Sequence, residues 1–204
     1  MTTKYKEIIE DNLTLLFQDL PENLSLLLPA EQEGNRFYFK AFGQDCCLGP
    51  EEIRLSGQIE EGPKALLISL YALHIKPDDI QIEPLKAFKD LPGSMPYHGP
   101  FTVNSERILI PFVSRIQKNK AEIGNRFEGG KTAVQVSGDF SMRLFPLPKI
   151  MLCYIFYLED EEFPASATCL FSANAQTFMP LDGLADVGEY TSRSIIDLLN
   201  KIPS

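Results

Sequence analysis

An α+β fold is predicted, with a mostly antiparallel sheet packed against about four helices in a single domain. Three observations carry it. Strand-like alternation is clustered, first between residues 36 and 55 and again between 134 and 171, instead of being interleaved with helices. Helical spacing recurs in four separate stretches. The chain has 204 residues, 44% apolar and 23% charged. A globular chain of that size buries roughly 70% of its unfolded surface and needs no disulfide or metal to fold.

Taken in order, Tyr5, Ile8, Ile9, Leu13, Leu16, Phe17 and Leu20 recur at helical spacing, and Pro21 stops them. This predicts an amphipathic helix over Lys4 to Asp19. Phe37, Phe39 and Ala41 alternate with Tyr38, Lys40 and Phe42, which predicts a strand, a turn at Gly43-Gln44 and a return over Cys46 to Leu48. A further short strand is expected from Glu52 to Leu55. Pro63 suits a first helical position. The stretch from Ala65 to Ile75 is apolar almost all round and predicts a buried central helix ended by Pro77.

Residues 77 to 101 are rich in Pro and Gly. Strand-like pieces are expected at Ile80 to Ile82 and Leu85 to Phe88. Asp90 to Phe101 is expected to be largely irregular, because its prolines remove backbone donors. This is the one internal boundary the composition offers, and it reads as an intradomain loop. Pro111 is expected to open a second long helix, striped by Phe112, Val113, Ile116, Ile123 and Phe127 and ended by Gly129-Gly130. Val134 and Val136, then Phe140, Met142 and Leu144, alternate with polar neighbours, and Pro146 and Pro148 are expected to break the chain. The nine apolar residues from Ile150 to Leu158 predict a strand buried on both faces, paired antiparallel with Ala167 to Phe171 across an acidic turn. Asp182 is expected to cap a last helix through Ile202. No internal repeat or low-complexity linker is present.

The net charge is −9. Phosphate neutralisation supplies most nucleic-acid affinity, so nucleic acid is not an expected partner. A membrane helix needs about 20 apolar residues, and the N-terminus lacks the apolar core of a signal peptide. The expected location is the cytoplasm, with no membrane association. The cysteines are Cys46, Cys47, Cys153 and Cys169, with no C-x-x-C pair. No metal and no cofactor are predicted from that spacing, and the thiols read as reduced and mostly buried.

Leu66 to Leu73, Phe88-Lys-Asp-Leu-Pro-Gly93, Phe145-Pro-Leu-Pro148, Asp160-Glu-Glu-Phe-Pro-Ala165 and Leu170-Phe171 occur in this order. Over residues 35 to 200 the chain thereby resembles an uncharacterised domain-of-unknown-function family of anaerobic bacteria and archaea. Some members of that family are joined to ferredoxin-like cysteine segments, which are absent from this sequence. The resemblance implies no transferable activity and no catalytic residue. It suggests only an accessory role in anaerobic metabolism.

The best candidate site is the loop from Lys89 to Phe101. It joins Lys89, Asp90, Tyr97 and His98 to a bent backbone, and long irregular loops in compact domains tend to be functional. His98, one of two histidines, suits acid–base work near neutrality, with Asp90 or Tyr97 assisting. The competing account is a packed loop whose Tyr and His bond to nearby carbonyls. Arg107, Arg115, Lys118, Lys120, Arg126 and Lys131 form the basic region of an acidic chain. With Lys89 they are candidates for holding an anion or an acidic partner, against the plainer account of a solvated helix face. His74, at a helix C-terminus, reads as a cap. Glu159-Asp-Glu-Glu162 reads as a solvated turn, since consecutive carboxylates rarely converge on one ion.

Three functions follow as expectations. The first is a non-catalytic binding module for a small anionic or aromatic ligand or a partner protein, held against residues 89–101 and the basic helix. The second is an enzyme using His98 as general acid or base. The third is the accessory role. The first two require the proline-rich stretch to fold over a cavity.

Overall fold

The computed structural model describes residues 4–129 and 137–202. The first helix, α1 (Lys4–Gln18), buries Ile9, Leu13 and Leu16 along one stripe. That stripe lies on α3 (Pro63–His74), and the Asn12 amide donates to the Ser69 hydroxyl at 3.0 Å. Between these helices come a short α2 (Leu24–Leu27) and a meander of five antiparallel strands, β1 (Glu31–Glu33), β2 (Arg36–Ala41), β3 (Gln44–Leu48), β4 (Ile53–Leu55) and β5 (Gln58–Ile59). Alternation in β2 turns Phe37, Phe39 and Ala41 inward and leaves Tyr38 and Lys40 on the outer face. The β2–β3 turn is Phe42-Gly43, one position earlier than expected. Both residues have positive φ, 50° and 73°, as the tight hairpin turn demands. Phe42 tolerates this because its ring is buried and its N–H donates to the Pro146 carbonyl at 2.7 Å.

The second sheet has the order β6-β9-β8-β7, all antiparallel, from β6 (Lys86–Ala87), β7 (Phe140–Leu147), β8 (Ile150–Tyr157) and β9 (Ser166–Phe171). β8 is buried on both faces as predicted. Leu152, Tyr154 and Phe156 enter the main core, while Met151, Cys153 and Ile155 lie under Ile80, Ile82 and Leu85. One contiguous buried cluster joins both sheets to α1, α3 and α7 (Leu181–Lys201).

Several expectations are corrected. Ile80 to Ile82 form no strand; they cover the outer face of β8, with the Gln81 carbonyl accepting from the Ala173 N–H at 2.8 Å. Asp90 to Phe101 is not irregular: a 3₁₀ turn (Phe88–Asp90) leads to α4 (Met95–Phe101). Pro96 lies in the first turn, where no donor is required, so it starts α4 instead of preventing it. Pro100 withdraws one donor, and the path continues as a π-helical turn (Thr102–Glu106) and a 3₁₀ segment (Arg107–Phe112). The helix expected from Pro111 starts at Val113. It is split at Asn119 into α5 (Val113–Lys118) and α6 (Lys120–Arg126), where the Asn119 side chain donates to the Arg115 carbonyl at 2.8 Å. Pro146 does not end β7. It sits at a bulge between Leu144 and Leu147 on an edge strand, where no donor is missed. α7 starts at Leu181, so Asp182 lies inside its first turn and is not the cap. Gly130, Val134 and Val136 lie outside the described residues.

Candidate functional site

Lys89 and Asp90 are exposed on the 3₁₀ turn before α4, and Tyr97 is 42% exposed. His98 is half-buried on α4. Its Nδ1 is buried with no hydrogen-bond partner, so neither Asp90 nor Tyr97 bonds to that nitrogen. The carboxylate near His98 is Glu106. Because the helical path runs unbroken through Pro100, residues 98, 102 and 106 recur at one-turn spacing.

Glu106 Oε1 accepts the Cys169 N–H at 2.9 Å, tying the π turn to β9. Burial pushes the Glu106 carboxyl above the ordinary carboxylate range. The Cys169 amide, the Thr102 hydroxyl, His98 and Arg107 oppose that shift. Thr102 Oγ1 is buried and forms no well-aligned hydrogen bond. Behind this face lies a buried polar chain. Ser192 donates to the Ser105 carbonyl at 2.6 Å. The Tyr154 hydroxyl therefore donates to Ser192 Oγ at 3.0 Å, with the Gly188 carbonyl 3.3 Å away as a second acceptor. Burial drives the Tyr154 and Cys169 side chains well above their usual values, so both are neutral at pH 7.

Of the basic candidates, Arg107 lies on the 3₁₀ segment and Arg115 and Lys118 lie on α5. Arg115 donates to the Leu199 carbonyl at 2.6 Å and so closes the C-terminal turn of α7. Arg107 and Lys118 are exposed, and Lys131 lies outside the described residues. His74 donates from Nδ1 to the Leu70 carbonyl at 2.9 Å, the capping role expected of it. In the acidic turn, Asp160 Oδ1 accepts the Glu162 and Phe163 N–H groups at 2.9 and 2.7 Å, which lowers its carboxyl. Among the described residues no group of three or more His, Cys, Asp or Glu is placed to hold a metal ion, and no helix is long and apolar enough to cross a membrane.

Three clefts among the described residues lie away from these candidates. One is about 950 Å³ and open to solvent. One wall is α2 and its connection to β1, with Leu26 77% exposed and Pro29 in the lining. The floor is the outer side of β2 and β3, with Tyr38, Lys40 and Asp45; the far wall is Phe145 and Pro148 of the β7–β8 hairpin, with Glu128. Lys40 Nζ is 2.6 Å from Asp45 Oδ1, leaving Glu31 and Glu128 as the further charges of the lining. Two smaller clefts, of about 240 and 280 Å³, are rich in glutamate. Residues 89–101 and the basic residues 107 to 120 line none of these three. Sequence reasoning missed this cleft because its walls are far apart in the chain. It missed Glu106 because the prolines hid the helical spacing that links it to His98.

No curated protein and no solved structure matches the chain. The profile of one family, described as a domain of unknown function (DUF3786), matches residues 20–194. That span takes in both sheets and α7 as far as Ser194, and omits α1. On that match the chain belongs to the DUF3786 family.

Proposed function

We propose that this protein is a cytoplasmic binding module, and that its ligand lies in the cleft between the first sheet and the β7–β8 hairpin. The observation that carries the reading is the cleft itself: about 950 Å³, floored by the hydrogen-bonded strands β2 and β3. Its charge bears on the ligand class. Glu31, Asp45 and Glu128 face a single Lys40, so an anion is repelled there. That leaves, of the expected ligands, an aromatic molecule or a partner protein. An accessory role in anaerobic bacteria or archaea belongs to the same proposal, as the setting in which a partner would be met.

A thermal-shift screen with anionic metabolites, aromatic compounds and peptides tests it. Stabilisation is expected from an aromatic or peptide class, and it should vanish in Leu26→Glu. A ligand at 100 times its Kd stabilises by about 2.7 kcal/mol, well within reach of the measurement. No stabilisation by any class, or stabilisation indifferent to Leu26→Glu, overturns the reading. Acid–base catalysis by His98 is the competing reading, and its motive is the Glu106 carboxylate on the same helical face. Incubating each stabilising compound with the protein and assaying its consumption separates the two, since a substrate is turned over and a mere ligand is not.

A further inference from the structure

We infer that the cleft receives an extended segment of a partner protein that carries lysine or arginine beside apolar side chains. The inference rests on reading the cleft as the binding site and adds the class of its occupant. Three features of the cleft point the same way.

Shape is the first. Small-molecule sites enclose most of their ligand. This cleft is open to solvent and runs between the α2–β1 wall and the β7–β8 hairpin, so a small molecule would stay largely wet while a chain segment could lie along it. Charge is the second. The ammonium of Lys40 is neutralised by Asp45 at 2.6 Å. Glu31 on one wall and Glu128 on the other have no ion-pair partner among the described residues, and cationic side chains spaced along a segment would complement both. The chain's net charge of −9 adds long-range attraction for a basic partner. Apolar contact is the third. Leu26 at 77% exposure, with Pro29, Phe145 and Pro148, supplies surface for the aliphatic stems and apolar residues of such a segment.

The test uses the full chain and two labelled peptides, one alternating lysine with valine and the other glutamate with valine, read by fluorescence anisotropy at low and high salt. The lysine peptide is expected to bind, more weakly as salt rises, and the glutamate peptide not to bind. Glu31→Lys with Glu128→Lys should weaken binding by about tenfold or more. Glu161→Lys with Glu162→Lys, the same charge change in the distant β8–β9 turn, should leave it near the native value. Should the reversed cleft variant fail to fold, Glu31→Gln with Glu128→Gln answers the same question. Equal weakening by both charge pairs would mean diffuse attraction to an acidic surface and would overturn the inference. An aromatic compound that binds in a Leu26-dependent way, with neither peptide bound, would overturn it and leave the cleft reading intact. If nothing binds in the cleft, both fall.

Discussion

At the scale of single residues, Glu106 has the most specific consequence. Its carboxyl is raised by burial more than its neighbours lower it. The folded state therefore holds the proton to higher pH than the unfolded chain does. Its contribution is most favourable below the unfolded carboxyl value, about 4.3. That contribution is lost as pH rises through the folded value. Glu106→Gln keeps an oxygen to accept the Cys169 N–H and removes the titration. The variant is expected to match the native protein near pH 4 and to exceed it in stability at pH 7. Urea midpoints measured at both pH values check this, and a native protein that gains stability relative to the variant between them would reverse the sign. His98 was legible in the sequence as a rare, neutral-range side chain in a constrained stretch. Its carboxylate neighbour was not, because Pro96 and Pro100 read locally as breakers whereas their positions in the helix make them tolerable.

Among elements, the contact that matters is the approach of the α4–π segment to α7. Gly188 has no room for a side chain: a Cβ there would stand 2.5 Å from the Phe101 ring and 3.0 Å from Ser105 Oγ. Phe101 cannot retreat, since it stacks on Phe88 at 4.2 Å and meets Phe171 at 5.7 Å. Gly188→Ala would raise helix propensity in α7 by up to about 1 kcal/mol. The clash is nevertheless expected to leave the variant less stable, by about 1–3 kcal/mol before that gain. Chemical denaturation of the variant decides the sign, and a net stabilisation would mean that the α4–π segment yields easily. The strands tell the opposite story about legibility. Phe37, Phe39 and Ala41 announced β2, and the run from Ile150 announced β8, because period-two burial and two-faced burial are local patterns. β1, three exposed polar residues, offered no such pattern and exists because β2 pairs with it.

Across the whole molecule, the two sheets meet through shared core and through the Phe42 N–H on the Pro146 carbonyl at 2.7 Å. α3 and α7 contribute buried residues to the same cluster. One cooperative unfolding transition is therefore expected, with far- and near-ultraviolet circular dichroism changing together in urea. Two separated transitions would show that the proline-rich stretch divides independent units. The same long-range meeting creates the cleft: α2, β2, β3 and the β7–β8 hairpin reach it from segments about a hundred residues apart.

From its sequence alone this protein's α+β class, the helices α1, α3 and α7, the β2–β3 and β8–β9 hairpins and the doubly buried strand were determined, because hydrophobic period and turn chemistry act within a few residues. Tertiary structure alone decided that prolines 96 and 146 lie where no donor is needed, that the helical path continues past Pro100 as a π turn, that Glu106 sits beside His98, and that a cleft opens between the sheets. Each of these depends on distant chain segments brought into register by burial of a common core, which no local pattern records.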